Sequence, residues 1–320
     1  MPLPTDEKAL ALGKDLLQAF DTVGGGPHPG YRAAHAKGAL LTGTFVPAPE
    51  AASLTRAPHI TRSSTPVSVR LSDFAGVPVI PDNHPEGASP RGFALRFHLA
   101  DHVHTDIVAH SANGFPTHTA EEFLEFLHAV AASGPDVPHP NPVEAFLGAH
   151  PAALAFVQMP KPFPTSFAKE HFFAVSAFKF TNADGAVRYG RYLIVPDLGT
   201  EYLDAEAAAA KGPNYLFDEL FERIAAGPIK FQILVQLAEE GDVVDNSTVQ
   251  WPQERSQVKF GESTLDALTP DNEAEQRQII FDPRPHVDGL DTAGDPLFEP
   301  RATIYLLSGR RRRAAGQPHS

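Results

Sequence analysis

Near the C-terminal end of the chain an arginine precedes a tyrosine by four residues, in Arg301-Ala302-Thr303-Ile304-Tyr305, and four more arginines, Arg310 to Arg313, follow Gly309. On a helix, Arg301 and Tyr305 share a face, because residues i and i+4 are surface neighbours. Arg312, seven residues past Tyr305, returns close to that face. Positive charge beside a tyrosine favours its ionised form. A phenolate is an anionic oxygen able to ligate ferric haem iron. A solvated basic helix end has the same composition, so the stretch takes its meaning from what else the chain carries.

Four further residue sets could do chemistry. His35 stands among small residues in Arg32-Ala33-Ala34-His35-Ala36-Lys37-Gly38-Ala39. A flat ligand can approach such a histidine closely, and its ring can shuttle a proton near neutral pH. Arg32, Arg70 and Arg312 are each able to clamp a carboxylate through paired hydrogen bonds. Phe115, Phe123 and Phe126 offer apolar surface for a flat aromatic ligand, or simply for a core. The last set is rich in histidine: His98, His102, His104 and His110, with Asp106, all carry even numbers. On one continuous strand they would share a face and could bind a transition metal. A turn at Leu99-Ala100-Asp101 would break that parity. The chain has no P-loop, dinucleotide fingerprint, GxSxG or HExxH motif.

The elements that must position these residues are short. Residues 5–22 carry apolar side chains at helical spacing. Residues 40–46, 91–98 and 102–110 read as strands. Pro66-Val67-Ser68-Val69-Arg70-Leu71-Ser72 alternates as a half-buried strand does, with Ser68, Arg70 and Ser72 on its polar face. Thr119 and Glu122 form a capping box ahead of a helix over 121–132. Residues 133–165, rich in proline, read as loop apart from a helical piece over 142–147. Strands over 172–180 and 187–195 flank the turn Asn182-Ala183-Asp184-Gly185. A helical stretch over 201–226, broken at Gly212-Pro213, precedes a strand over 228–238, and Trp251-Pro252 and 258–261 read as irregular. Closely spaced strands with tight connections predict an antiparallel sheet or barrel in an α+β fold, rather than βαβ units. The chain reads as one domain over 1–320, with a helix and linker at 1–27 and a tail at 314–320.

Bulk composition narrows the function. The 320 residues include 26 Lys and Arg against 39 Asp and Glu, a net charge of −13. That disfavours nucleic acid and anionic membranes as partners. With no cysteine, disulfides, thiolate metal sites, iron–sulfur clusters and a cysteine nucleophile are excluded. No apolar run is long enough for a transmembrane helix. No secretory signal opens the chain, so a cytoplasmic location is expected.

In order and together, these segments resemble the haem catalase superfamily, and within it the short catalase-related peroxidases. The run Arg32 to Ala39 resembles the catalase segment Arg-Val-Val-His-Ala-Lys/Arg-Gly-Ala. Ser68-Val69-Arg70-Leu71-Ser72 and Pro90-Arg91-Gly92-Phe93-Ala94-Leu95-Arg96-Phe97 resemble the next two signatures, and Arg301 with Tyr305 the terminal Arg-x-x-x-Tyr pattern. The resemblance spans roughly residues 28 to 313. It implies a catalase-like antiparallel β-barrel with flanking helices around haem b. It implies that His35 is the distal catalytic histidine, with Ser72 hydrogen-bonded to its back. Arg32, Arg70 and Arg312 would hold haem propionates, Phe115 and Phe123 would line the haem pocket, and Tyr305 would be the axial iron ligand with Arg301 as its charge partner. Hydrogen peroxide and a small organic donor are the implied substrates.

Four departures qualify this. His110, after Asp106-Ile107-Val108-Ala109, stands where the family has a distal asparagine that helps to position peroxide, with Asn113 three further on. That favours peroxidase over catalase turnover. Ala34 replaces a valine, which opens the distal side to larger substrates. Leu307 stands where full-size catalases have an aspartate. The N-terminal arm and C-terminal domain of the full-size enzymes have no counterpart, so a small homo-oligomer such as a dimer is expected, without NADPH. Three other readings stay open: fatty hydroperoxide rearrangement as in catalase-like allene oxide synthases, haem binding without turnover, and a non-haem metal site on His98, His102, His104 and Asp106.

Overall fold

A computed structural model describes residues 3–315; residues 1, 2 and 316–320, the last being most of the expected tail, lie outside the described residues. The chain opens with helix α1 (Glu7–Val23), whose N-cap Asp6 accepts the Ala9 amide at 2.8 Å. Twelve strands follow among the described residues: β1 (Gly38–Pro47), β2 (Thr65–Ser72), β3 (Gly92–Ala100), β4 (Val103–His110), β5 (Phe163–Pro164), β6 (Phe172–Phe173), β7 (Phe178–Thr181), β8 (Val187–Pro196), β9 (Tyr202–Leu203), β10 (Ile229–Leu237), β11 (Gln257–Leu268) and β12 (Leu290–Thr292). Between them lie α2 (Pro58–Thr61), α3 (Ala120–Ala131), α4 (Pro142–Ala149), α5 (Pro151–Gln158), α6 (Ala205–Ala209), α7 (Tyr215–Ala226) and α8 (Asn272–Gln278), and α9 (Phe298–Ala314) closes the fold.

Strands β10, β11, β1, β2, β3, β4, β6 and β8 pair in that order, and β10 pairs back onto β8. The result is a closed, eight-stranded antiparallel barrel, with β7 and β12 extending the sheet beyond β8. Closure leaves no free edge in the ring. Alternation then decides what fills it. Val67, Val69 and Leu71 of β2, Phe93, Leu95 and Phe97 of β3, and Ile107 and Ala109 of β4 belong to the main apolar core with Phe45, Phe231 and Phe260. The alternate residues of the same strands face outward. On β2 Ser68, Arg70 and Ser72 are nevertheless buried, the last two at 3 % exposure, so this part of the outer face is covered by other segments. A second apolar cluster joins α1, α3 and α9 through Leu16, Ala19, Ala120, Leu127, Leu297 and Ile304.

Most expected elements are present, including the capping box of Thr119 and Glu122 on α3. The helix expected from 201 begins only at α6, after β9, and three other elements differ, each for a physical reason. Residues 258–261, read as irregular, lie within β11, a twelve-residue strand pairing with both β1 and β10. Its registers skip Phe260 on the β10 side and Asp266 on the β1 side. These two bulges shift the alternation that marks a strand. Helix α5, read as loop, has Pro151 in its first turn, where proline initiates a helix instead of breaking it. The strand expected over 172–180 is split into β6 and β7, both against β8. The break frees Ser176 for a contact with Arg301 of α9.

Candidate active site

The site is assembled by strand register. Gly38 pairs with Ser72, Ser72 with Gly92, Gly92 with His110 and His110 with Phe173. These residues form one row across five strands, on the outer face at one end of the barrel. His35 precedes β1 and lies over this row. Its Nδ1 is 3.1 Å from Ser72 Oγ, and Gly92 leaves no spare room beneath it. A Cβ on Gly92 would sit 2.5 Å from Ser72 Oγ and 2.8 Å from His35 Nδ1. A glycine inside a strand marks such a close approach, and that is the sequence signal by which Gly92 could join the candidate residues.

His35 has a left-handed backbone, φ 56°, unusual for a residue with a side chain and held only where the surroundings fix it. Its amide donates to the Phe74 carbonyl at 2.6 Å, and the Phe74 ring meets the imidazole edge-on at 5.5 Å. Burial pushes the ring's pKa down to about 3, helped by the charge of Arg70, with the Asp73 backbone carbonyl opposing. His110 is also brought down to about 3, first by burial and then by the charge of Arg301. Its Nδ1 accepts the Ala112 amide at 3.3 Å. Both rings are therefore neutral at neutral pH, and they lie close enough that protonating one opposes protonating the other.

Arg32, Arg70 and Arg312, far apart in sequence, converge. Arg32 and Arg312 both donate to the Ile279 carbonyl, at 3.1 and 2.6 Å. Arg312 also donates to the Arg277 carbonyl, and Arg70 to Gln276 Oε1 at 2.8 Å and the Ala36 carbonyl at 3.2 Å. Burial lowers the pKa of each, and the charges of Arg70 and Arg312 lower that of Arg32 further. None of the three forms an ion pair with a carboxylate among the described residues. Buried charges are ordinarily paired, so this cluster is short of negative charge. Arg96, on the same outer face, shows the contrast: Asp106 holds it through two bonds at 2.8 and 2.6 Å.

Helix α9 carries the remaining candidates. Arg301 and Tyr305 lie one turn apart, with the guanidinium carbon 6.0 Å from the tyrosine ring centroid. Arg301 Nη1 also donates to Ser176 Oγ at 3.4 Å. Tyr305 is half-buried against the second apolar cluster, where Phe115 and Phe123 pack with centroids 4.9 Å apart. Seven residues of helix separate Tyr305 from Arg312, about 10 Å along the axis. One stripe of α9 thus runs from the neighbourhood of His110, which senses Arg301, to the arginine cluster. A cavity of about 450 Å³ opens beside Phe115, between Phe156, Met159 and Gln250.

The histidine-rich set does not come together. His98 and His104 face one another across the β3–β4 hairpin, His102 sits in its turn, and His98 Nε2 is bonded to Ser68 Oγ at 2.8 Å. No group of three or more His, Asp or Glu among the described residues is placed to hold a metal ion. The non-haem metal reading fails because the turn after β3 removes His102 from the face that His98, His104 and Asp106 share, while Ser68 engages His98 and Arg96 engages Asp106. No described helix is long and apolar enough to cross a membrane.

Comparison with known proteins agrees with this architecture. The family model described as Catalase matches residues 29–318. A catalase-related peroxidase of Mycolicibacterium paratuberculosis is 34% identical over 302 residues, 92% of this chain and 94% of the relative. One from Synechococcus elongatus is 35% identical, covering 90% of this chain and 85% of the relative. Among solved structures, catalase A from Saccharomyces cerevisiae superposes with a TM-score of 0.78 at 21% identity, covering 91% of this chain and 65% of that one. A fungal catalase gives the same TM-score, 0.78, at 22% identity, with coverage of 88% and 59%. The chain thus spans about three fifths of these solved catalases but most of each short relative. It belongs to the catalase family and, with that family, to the oxidoreductases.

Proposed function

We propose that the protein is a haem b peroxidase that consumes hydrogen peroxide at the expense of a small organic donor. The observation that carries this reading is the cluster of three arginines with no carboxylate partner. Their chemistry fits a ligand bearing two carboxylates, as the propionates of haem b provide. Tyr305 would hold the iron, and Phe115 and Phe123 would meet the porphyrin with apolar surface. Haem, when bound, supplies the redox chemistry by which the O–O bond is cleaved.

The chain's own groups handle protons and position. His35 is neutral at working pH and engaged at Nδ1 by Ser72, which leaves Nε2 to take a proton from one peroxide oxygen and return it to the other as water departs. Arg301 puts positive charge beside the Tyr305 ring. His110, neutral here, stands where the family's peroxide-positioning asparagine would be. We assign the second half of turnover to the organic donor for that reason.

Two measurements test the reading. The purified protein is expected to show a Soret band with high-spin, tyrosinate-type features. Tyr305→Phe removes one oxygen and should weaken haem binding beyond the ~10–100-fold that outer-shell changes cost a metal site. An unchanged spectrum and haem content in that variant refute the assignment. At matched haem content, dye oxidation should outpace oxygen release. Vigorous oxygen release with negligible dye turnover refutes the donor route.

A further inference from the structure

Behind His35 lies a buried charge network that the mechanism above does not use. Asp73, Asp82 and Arg91 are all fully buried. Lys37 Nζ lies 2.5 Å from Asp82 Oδ1 and also donates to the Asn214 side chain at 2.7 Å. The other oxygen of Asp82 accepts the Leu216 amide at 2.8 Å, at the start of α7. Arg91 donates to Ser89 Oγ and to the Asp82 carbonyl, both at 2.7 Å. Asp73 is the exception. Neither of its oxygens meets an N–H or hydroxyl donor, and Arg91 Nε, itself unpartnered, stays 3.8 Å away. The negative charge of Asp82 also bears on Asp73 and favours its protonated form.

A fully buried carboxyl that meets no donor keeps its proton, because its charged form would be left unpaired. The surroundings agree. The groups facing Asp73 are Lys37 ahead of β1, Asp82 in the loop after β2, Arg91 at the head of β3, Tyr215 on α7 and, beyond Arg91, Glu170 ahead of β6. Three carboxyls against two cations balance once a proton is retained. Burial accordingly pushes Asp73 up to about 8, against the pull of Arg91 and with the help of Asp82. Burial also raises Glu170 to about 7.

Each segment that shapes the surroundings of His35 carries a member of this network. Lys37 is two residues after His35, Asp73 follows Ser72, and Arg91 precedes Gly92. The backbone carbonyl of Asp73 faces the His35 ring, and the next carbonyl, of Phe74, receives the His35 amide. We propose that Asp73, buried and unpaired, is a positioning residue that in its neutral form steadies the Ser72–Phe74 backbone holding His35 in its left-handed conformation. When that proton leaves, the Asp73 carboxylate is repelled by Asp82 and swings toward the free Nε of Arg91, 3.8 Å away, and the Ser72–His35 contact is lost. This rests on His35 being the base of the reaction.

The experiment uses the full chain with Glu170→Gln as background, which removes the second raised carboxyl. Infrared difference spectra between pH about 6 and about 10 read the protonated carboxyl directly, with or without haem. A carboxylic C=O band that disappears through pH about 8, and is absent in Asp73→Asn, is expected. Peroxide consumption at matched haem content should fall several-fold over the same interval in the background protein. It should stay level in Asp73→Asn, whose amide mimics the neutral acid. Absence of the band in the background protein, or an unchanged alkaline fall in the Asn variant, overturns the proposal. His35→Ala separates the two layers: full peroxide consumption in that variant removes His35 as the base, and with it the positioning role, while the infrared band still reports whether Asp73 keeps its proton.

Discussion

Gly92→Ala is the smallest change that should disable the site, and its effect can be worked from the contacts. The new Cβ would lie 2.5 Å from Ser72 Oγ, 2.8 Å from His35 Nδ1 and 3.0 Å from His35 Cε1. Ordinary contact begins at 3.4 Å, so the serine must yield by about 0.9 Å and the imidazole by about 0.6 Å. The Ser72 hydroxyl can rotate away, which forfeits the hydrogen bond to His35 at a cost of ~1 kcal/mol. The His35 ring has less freedom, with its backbone fixed at φ 56° and its amide bonded to Phe74. Displacement approaching ~1 Å in a catalytic group costs on the order of 100-fold in rate. We therefore expect kcat/KM for peroxide to fall ~10–100-fold at matched haem content, with ~1–3 kcal/mol lost from global stability through overpacking. Gly134→Ala, where an added Cβ meets nothing within 4 Å, serves as the control. Because Ser72 Oγ is the nearest obstacle, Gly92→Ala should cost less in a Ser72→Ala background, a non-additivity that a double-mutant cycle reads directly. A Gly92→Ala enzyme with unaltered kcat/KM would refute the placement of His35 over this glycine.

Two further outcomes follow from the buried charges. Arg70 is held down to about 9 by burial and by Arg312, so its charge opposes folding at neutral pH. Arg70→Met should leave the apoprotein's urea midpoint unchanged or higher while weakening haem uptake ~10-fold or more; loss of apoprotein stability without loss of haem affinity contradicts the anion-site reading. His35, His59 and His110 are each depressed by burial from 6.5 to about 3. Below pH 6.5 the unfolded chain takes protons that the folded chain refuses, so stability present above that pH is lost as pH falls toward about 3. His171, lowered to about 4, adds to the loss, while Asp73 and Glu170, raised by burial, oppose it, so the net loss approaches ~3 kcal/mol per pH unit. Apoprotein unfolding midpoints from pH about 7 to about 4 should show this slope, and a flat profile would mean that the rings are protonated in place.

How much of this is legible in the sequence depends on separation along the chain. Arg301 with Tyr305, and Ser68 with Arg70 and Ser72, are spaced by the periods of their own elements, so a face can be read from each alone. The capping box of α3 is legible for the same reason. The bulges of β11 are hidden because the pattern that marks a strand is the pattern they interrupt. Asp73 and Asp82 sit in a turn-rich loop where carboxylates are expected to meet water, and only the packing of α7 and Arg91 over them makes them buried.

The arginines show the limit most clearly. Arg70 and Arg96 sit on adjacent strands of the barrel and point to the same side, and alternation treats them alike. Register does not. Arg96 faces Asp106 across the β3–β4 hairpin, while the cross-strand neighbours of Arg70 are Leu40 and Ala94. One guanidinium is neutralised by its hairpin partner and the other is left with neutral acceptors, beside two more arginines in the same condition. A single hairpin, joining residues close in sequence, is enough to satisfy the first. The second arrangement requires β2, the segment before β1 and the far end of α9 to meet, which no local pattern encodes. Unpaired charge is therefore the part of this site that only the folded chain carries, and it is the part that points to an anionic ligand.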